Sequence, residues 1–260
     1  MRRPLSYLFI ISLLTVRLAT FSPPAANAES NSEEEWHFTV APYAWLAGQK
    51  GSVATLPPLP SVDIDIDFWD DILGNINGAL FLVGEARKGK YGALFDMAYV
   101  DIELESSTPG PIFSSVTSRT KAWIVSVAGS YRLVEKPDVF ADLLVGIRYW
   151  SVDSTLGLKS AILRDREVSN REDWVDPIVG LKGQSFIGAS QFFVNGGLMI
   201  GGFGAGSGFM WDANFNLGYR WTETFSTTLG YRYLDVDYEK DDFLYDVSQD
   251  GPVIGLSWVF

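Results

Sequence analysis

The sequence predicts an all-β protein: a closed antiparallel transmembrane β-barrel of about ten strands, with eight or twelve as the alternatives. Three observations carry this. Segment after segment alternates at a period of two, setting a bulky apolar face against a small or charged one, as a strand must when its two sides meet different media. Past residue 28 no apolar run approaches the ~18 residues that a membrane helix needs. Yet 14% of the chain is aromatic and 25 positions are glycine, and alternation hides the hydrophobicity of a barrel strand from any running average. The expected connections are short on one side and mostly long on the other, the asymmetry of an outer-membrane type of barrel.

The chain starts Met1-Arg2-Arg3, continues through apolar Leu5 to Leu14 and reaches Ala26-Asn27-Ala28 before Glu29. A basic start, a short apolar core and a small-residue cleavage site make residues 1–28 an expected secretory signal peptide. Arg17 interrupts its second half, and an uninterrupted stretch of about ten residues is too short to span a membrane. The barrel domain is then 29–260. Loss of Arg2, Arg3 and Arg17 takes 20 basic residues to 17 against 32 acidic ones, a net charge of −15, which argues against nucleic acid as a partner. With no cysteine, neither a disulfide nor a lipidated cysteine is available, so stability must come from the backbone network.

Residues 29–35 form a polar lead, and the first strand is expected at 36–47. Residues 49–75 are irregular, with Pro57, Pro58 and Pro60, and include a strictly alternating piece that puts Asp63, Asp65 and Asp67 on one face. Trp69, Ile72 and Leu73 then fall at helical spacing, enough for one turn. After that the pattern is regular. Residues 77–87 pair with 91–103 across Lys88-Gly89-Lys90, and 122–133 with 139–152 across 135–138. Residues 174–183 pair with 192–202 across a turn near Gly188, and 210–221 with 225–237 across 222–224. A last strand from about Pro252 brings the count to ten. Long loops are expected at 48–74, 104–118, 153–172 and 238–250, with 203–208 as the exception. The Asp-rich piece of the first loop could pair and change the count.

Orientation follows from 210–221. Trp211, Ala213, Phe215, Leu217, Tyr219 and Trp221 lie on one side, and Asp212, Asn214, Asn216, Gly218 and Arg220 on the other. The aromatics gather at strand ends, as membrane-interface girdles do, so the greasy face is expected to meet lipid. Ile254, Leu256, Trp258 and Phe260 continue that face on the last strand. The inward face repeats a weak Gly-x-Arg/Lys pattern, as at Gly146, Gly180, Gly218 and Gly230. Inward bases Arg87, Arg132, Arg148, Lys182, Arg220 and Arg232 oppose inward acids Glu85, Asp96, Asp142, Asp176 and Asp212. Such a set can act as a charged constriction that selects solutes, or as a salt-linked plug whose members pair because both signs are partly desolvated. The inward glycines cut against a plug, since each removes a side chain from the lumen.

Residues 63–73, 85–96, 174–182 and 230–238 together resemble a family of uncharacterised bacterial outer-membrane β-barrel proteins. Small OmpA-like barrels are similar in architecture only. The resemblance implies the cell outer membrane, with its lipid and lipopolysaccharide as surroundings, and brings no activity and no catalytic residues. A terminal strand carrying Trp258 and a last-position Phe260 resembles the insertion signal read by the outer-membrane assembly machinery.

Little points to chemistry. The single histidine, His37, lies at the start of the first strand, away from the outer rim where a catalytic imidazole of such a barrel would be expected. Asp70 and Asp71 could in principle do acid–base work, but acidic loops are commonly solvated. Asp63, Asp65 and Asp67, and the acids of the last loop (Asp235, Asp237, Glu239, Asp241, Asp242), offer hard oxygen ligands for Ca²⁺ or Mg²⁺, or a bridge to lipopolysaccharide phosphates. No cofactor motif is present. The expectation is a monomeric, non-enzymatic barrel with a structural or surface-interaction role and a largely occluded lumen, since barrels of about eight strands are filled by side chains. A narrow porin-like passage for small solutes is the alternative, and an outer-membrane hydrolase a third reading.

Overall fold

Alternating residues drive almost the whole chain into strands. The computed structural model describes residues 35–107, 113–160 and 165–260; the expected signal segment 1–28 lies outside them. In chain order the strands are β1 (Trp36–Trp45), β2 (Gly48–Ala54), β3 (Val62–Ile66), β4 (Ile76–Lys88), β5 (Tyr91–Ser107) and β6 (Phe113–Lys136). They continue with β7 (Val139–Ser160), β8 (Arg166–Phe186), β9 (Phe192–Gly201), β10 (Phe209–Arg220), β11 (Phe225–Lys240) and β12 (Phe243–Val259). A single helical turn, Phe68–Ile72, interrupts them, capped by the Asp67 carboxylate, which accepts from the amides of Trp69 and Asp70.

β1 and β4 to β12 form a closed ring of ten strands, each antiparallel to its neighbours, with β12 pairing back onto β1. The Asp-rich segment does pair, but it adds no stave to this ring. β1 runs alongside β12 as far as Trp45↔Val253, and β2 takes over on the same side of β12 from Gly48↔Asp250. The Leu46 amide donates to the Pro252 carbonyl at 2.9 Å, which joins the two stretches. β3 then folds back on β2. The ring is closed at its seam by reciprocal bonds between Phe38 and Phe260, 3.1 and 2.8 Å.

In three of the four expected long loops most of the described residues are instead strand. β5 and β6 continue to Ser107 and from Phe113, β7 and β8 to Ser160 and from Arg166, and β11 and β12 to Lys240 and from Phe243. The reason is physical. Above the lipid both faces of a strand can be polar, so the period-two signal fades while the backbone ladder, which needs no apolar face, goes on.

Burial is inverted relative to a water-soluble barrel. Phe215 is 63% exposed, Leu229 61% and Val145 59%, while Asp142, Arg148 and Asp212 are fully buried. Two aromatic girdles bound the apolar belt. At the loop end Tyr99 packs on Trp123 and Trp211 on Tyr233, with ring centroids 4.3 and 4.6 Å apart. At the turn end Tyr91 packs on Tyr131, Phe192 on Tyr219 and Phe225 on Trp258. On β5, β6, β10 and β11 the two girdle residues are each eight positions apart (91–99, 123–131, 211–219, 225–233). Eight residues at ~3.3 Å make ~26 Å of strand, or ~20 Å of height at a ~40° tilt, close to the apolar band of membrane barrels. The molecule is a membrane-spanning β-barrel.

Candidate functional site: the charged lumen

Inward parity brings the predicted charges together in two layers. The layer nearer the turns ties β4, β6, β7 and β8. Arg87 donates from Nη2 to Glu85 Oε1 at 2.7 Å and to Asp142 Oδ2 at 2.5 Å, and also reaches Ser130 Oγ at 3.2 Å. Arg132 Nε donates to the other Asp142 oxygen at 2.5 Å, and its guanidinium lies over the Phe140 ring at 4.4 Å. Lys182 pairs with Glu85 directly across the lumen and stands 3.7 Å from Asp142.

The second layer lies at mid-height and spans the barrel from wall to wall. Asp212 on β10 accepts from Arg148 on β7 at 2.8 Å and from Arg232 on β11 at 3.0 and 2.7 Å. Arg232 also donates to Asp96 on β5 at 3.0 Å and to the Tyr43 hydroxyl on β1 at 2.8 Å, and that hydroxyl donates to Asp96 at 2.9 Å. Arg148 Nε donates to Ser126 at 2.8 Å. Two arginines face two aspartates here, so the layer is electrically closed. One buried donor is left over: Arg148 Nη1 has no hydrogen-bond partner among the described residues.

Two predicted members fall outside these layers. Asp176 is buried but makes no ion pair among the described residues; it accepts from the Ser207 amide and hydroxyl at 2.6 and 2.8 Å. That pulls the 202–208 segment into the barrel mouth, where Ser207 also accepts from Trp174 Nε1 at 2.9 Å. Arg220 has inward parity but lies level with the turns, where it donates to Gln191 at 3.0 Å and stacks over Phe186 at 4.3 Å. Two of the inward glycines sit against neighbouring side chains. A Cβ on Gly218 would meet the Phe193 ring at 2.1 Å, and one on Gly180 would meet Met199 Cγ at 2.6 Å. At Gly146 it is the neighbouring strand's backbone that stands closest, Val127 O at 2.1 Å.

The acidic loop residues do not converge. Asp63 accepts from Ser52 at 2.6 Å, Asp65 pairs with Lys50 at 3.3 Å, and Asp67 caps the helical turn. Alternation put Asp63 and Asp65 on one face, but each is answered by the β2 residue opposite it. Among the described residues no group of three acidic, histidine or cysteine side chains is placed to hold a metal ion. Asp70 and Asp71 are exposed within that turn, and His37 is exposed at the turn end of β1. Trp258 and Phe260 lie on the lipid face, Phe260 72% exposed.

Above the charged layers lies an element the sequence reading missed, an aromatic stack. Trp174 is sandwiched between Trp150 and Tyr238, with centroids 5.5 and 4.0 Å away and planes within 10°, and Phe243 and Tyr245 close its edges. The signal was present in the inward parity of Trp150, Trp174 and Tyr238, but it could be assembled only with the strand registers known.

Fold and interior together define a class: a ten-stranded membrane barrel whose lumen carries two buried layers of ion pairs. No protein-family model matches the chain, and no curated protein does. Among solved structures the chain is similar to Ail, the attachment invasion locus protein of Yersinia pestis, at 12% identity over 87% of this chain and 99% of that one, TM-score 0.33. It is similar to the translocator domain of the autotransporter NalP from Neisseria meningitidis at 11% identity over 85% and 88%, TM-score 0.40. For the transport unit of the autotransporter AIDA-I from Escherichia coli the figures are 8% identity, 90% and 90%, and 0.41. At these identities and scores the likenesses carry no statement about activity, ligand or partner.

Proposed function

We propose that the chain is a non-enzymatic, integral β-barrel of the outer membrane of a Gram-negative-type cell, with a lumen closed to steady solute flow. A strand-only span, an apolar belt and two aromatic girdles support the location. The observation that carries the closed lumen is the Asp96–Arg232–Asp212–Arg148 chain, which crosses the bore between opposite walls with every carboxylate engaged. Buried pairs of this kind hold only while both partners are present, so the layer behaves as a fixed plug. The role left to such a barrel is structural or surface-directed. Its loop-end rim, where Asp237 stands opposite Asp246, faces the lipopolysaccharide and the divalent cations that bridge it. Trp258 and Phe260 serve as the segment recognised by the assembly machinery.

Proteoliposome swelling tests the closed lumen. In an isotonic solution of a small sugar, vesicles carrying the folded barrel should swell no faster than protein-free vesicles. Swelling that rises in proportion to the protein incorporated would establish a pore instead.

A further inference from the structure

Between the charged layers and the loop end, bordered by Tyr245 of the aromatic stack, the barrel holds an apolar cavity of about 540 Å³, within the size range of small-molecule sites. Its wall is the inward face of β5 to β7, with Val100, Ile102, Ile124 and Leu156. Phe68 and Ile72 of the helical turn and Leu56 cover it from the first loop. None of the residues lining it carries a charge. Its polar groups are hydroxyls, among them Ser118, Thr120 and Ser154, and the glutamines Gln249 and Gln49, of which Gln249 Nε2 donates to Gln49 Oε1 at 3.1 Å. None of these atoms is buried without a partner. The exception is Trp45, which lines the cavity, is 6% exposed, and whose indole Nε1 has no acceptor among the described residues.

The cavity also has a side door in the barrel wall. The β1–β4 ladder ends at Pro42↔Leu82, although β4 runs on to Ile76. Above that point β2 pairs only with β12 and β3, and β3 pairs only with β2. No backbone ladder therefore joins β3 to upper β4, and Ile64, Ile66, Ile76 and Phe81 from these two strands all line the cavity. Leu80 is in register with Tyr99, so the seam begins at the loop-end aromatic girdle. Exposed Leu59, Val62 and Leu73 surround it.

We propose that this cavity binds a small, uncharged, hydrocarbon-rich molecule carrying at most one hydrogen-bond acceptor, which Trp45 Nε1 meets, and that the β3–β4 seam is its route to and from the membrane's outer surface. The ion-pair layers beneath bar passage through the bore. A charged amphiphile does not fit, because no cation lines the cavity to match a buried anionic head and no anion to match a cationic one. The inference stands apart from the closed lumen: swelling reads the bore, and the following assay reads the cavity.

The test is photolabelling of the folded barrel in amphipol with a neutral alkyl diazirine, followed by peptide mass spectrometry. Label is expected on inward Val100, Ile102, Ile124 and Leu156, to saturate with probe concentration, and to fall at least tenfold with excess dodecane but not with equimolar dodecanoate. Ala98→Trp and Ala122→Trp, which fill the cavity from β5 and β6, should each reduce inward label at least tenfold and leave label on outward Phe215 and Leu229 unchanged. Heat-modifiable migration shows whether each variant is folded, and the competition result decides the matter if neither is. Label confined to the outward belt, or inward label that does not saturate, would overturn the proposal. Dodecanoate competing as well as dodecane would overturn the neutral ligand.

Discussion

Replacing Phe215 by arginine probes the lipid face at its deepest point. Phe215 is four residues from Trp211 and four from Tyr219 on β10, so at ~3.3 Å per residue it lies ~13 Å along the strand from either girdle, near the midplane. Its ring is 63% exposed and packs on no buried neighbour set, so little contact energy is at stake in removing it. A guanidinium there meets hydrocarbon, which costs about 2–4 kcal/mol at the midplane of a membrane barrel and about 0–1 near the interface. Phe215→Leu should cost under ~1.5 kcal/mol, as hydrophobic exchanges that conserve volume do. The same arginine at Trp221, in the turn-end girdle, should cost about 0–1 kcal/mol. Reversible guanidinium unfolding in thin-bilayer vesicles, followed by tryptophan fluorescence, measures all three. A cost for Phe215→Arg under ~1 kcal/mol, no more than that of Phe215→Leu, would refute the assignment of this face to lipid, since it lies below the midplane cost.

Asp212→Ala strands two buried arginines at once and should cost about 3–5 kcal/mol by the same unfolding assay, most of it recovered when Arg148 and Arg232 are also changed to methionine and Asp96, which would otherwise lose Arg232, to asparagine. Gly218→Ala drives a methyl into the Phe193 ring and should cost about 1–3 kcal/mol; Gly74→Ala, with nothing within 4 Å of the new Cβ, should stay within ~0.5 kcal/mol. At the loop end burial pushes the Glu172 carboxyl up, but bonds from Lys240 and Tyr238 outweigh it and hold the group below its ordinary value of 4.5. A lowered acid contributes stability that is present above that value and is lost as pH falls through the lowered one. Protease cleavage at the β11–β12 tip should therefore rise only below pH 4.5, and Lys240→Met should move the rise toward higher pH.

The ring of ten strands was legible because lipid imposes strict alternation: Trp211 to Trp221 reads outward, inward, outward without a break. Where the outside medium becomes water that constraint lapses, so the outer halves of β6, β7 and β8 read as loop. Parity also tells side but not partner. It placed Arg220 with Arg87, Arg132 and Lys182 toward the turn end, but not apart from their ion pairs, where Gln191 and Phe186 hold it. It placed Asp176 among the lumen charges too, although the in-turned Ser207 satisfies that carboxylate. A shared face did not bring Asp63, Asp65 and Asp67 together, because Ser52 and Lys50 answer the first two from the neighbouring strand and the third caps the helical turn. Glycines read as gaps proved to be seats for Phe193 and Met199. The apolar cavity could not be foreseen at all, since it depends on β1 handing its place beside β12 to β2.

Single-channel recording in planar bilayers tests the closed lumen most directly. The wild-type barrel, inserted and verified as folded, should give a flat trace under applied voltage, and Asp212→Ala, if it folds, should introduce intermittent steps as the mid-height layer loosens. Stable, reproducible conductance steps in the wild type, with a selectivity that changes when Arg232 is neutralised, would contradict the account and make the charged layers a filter.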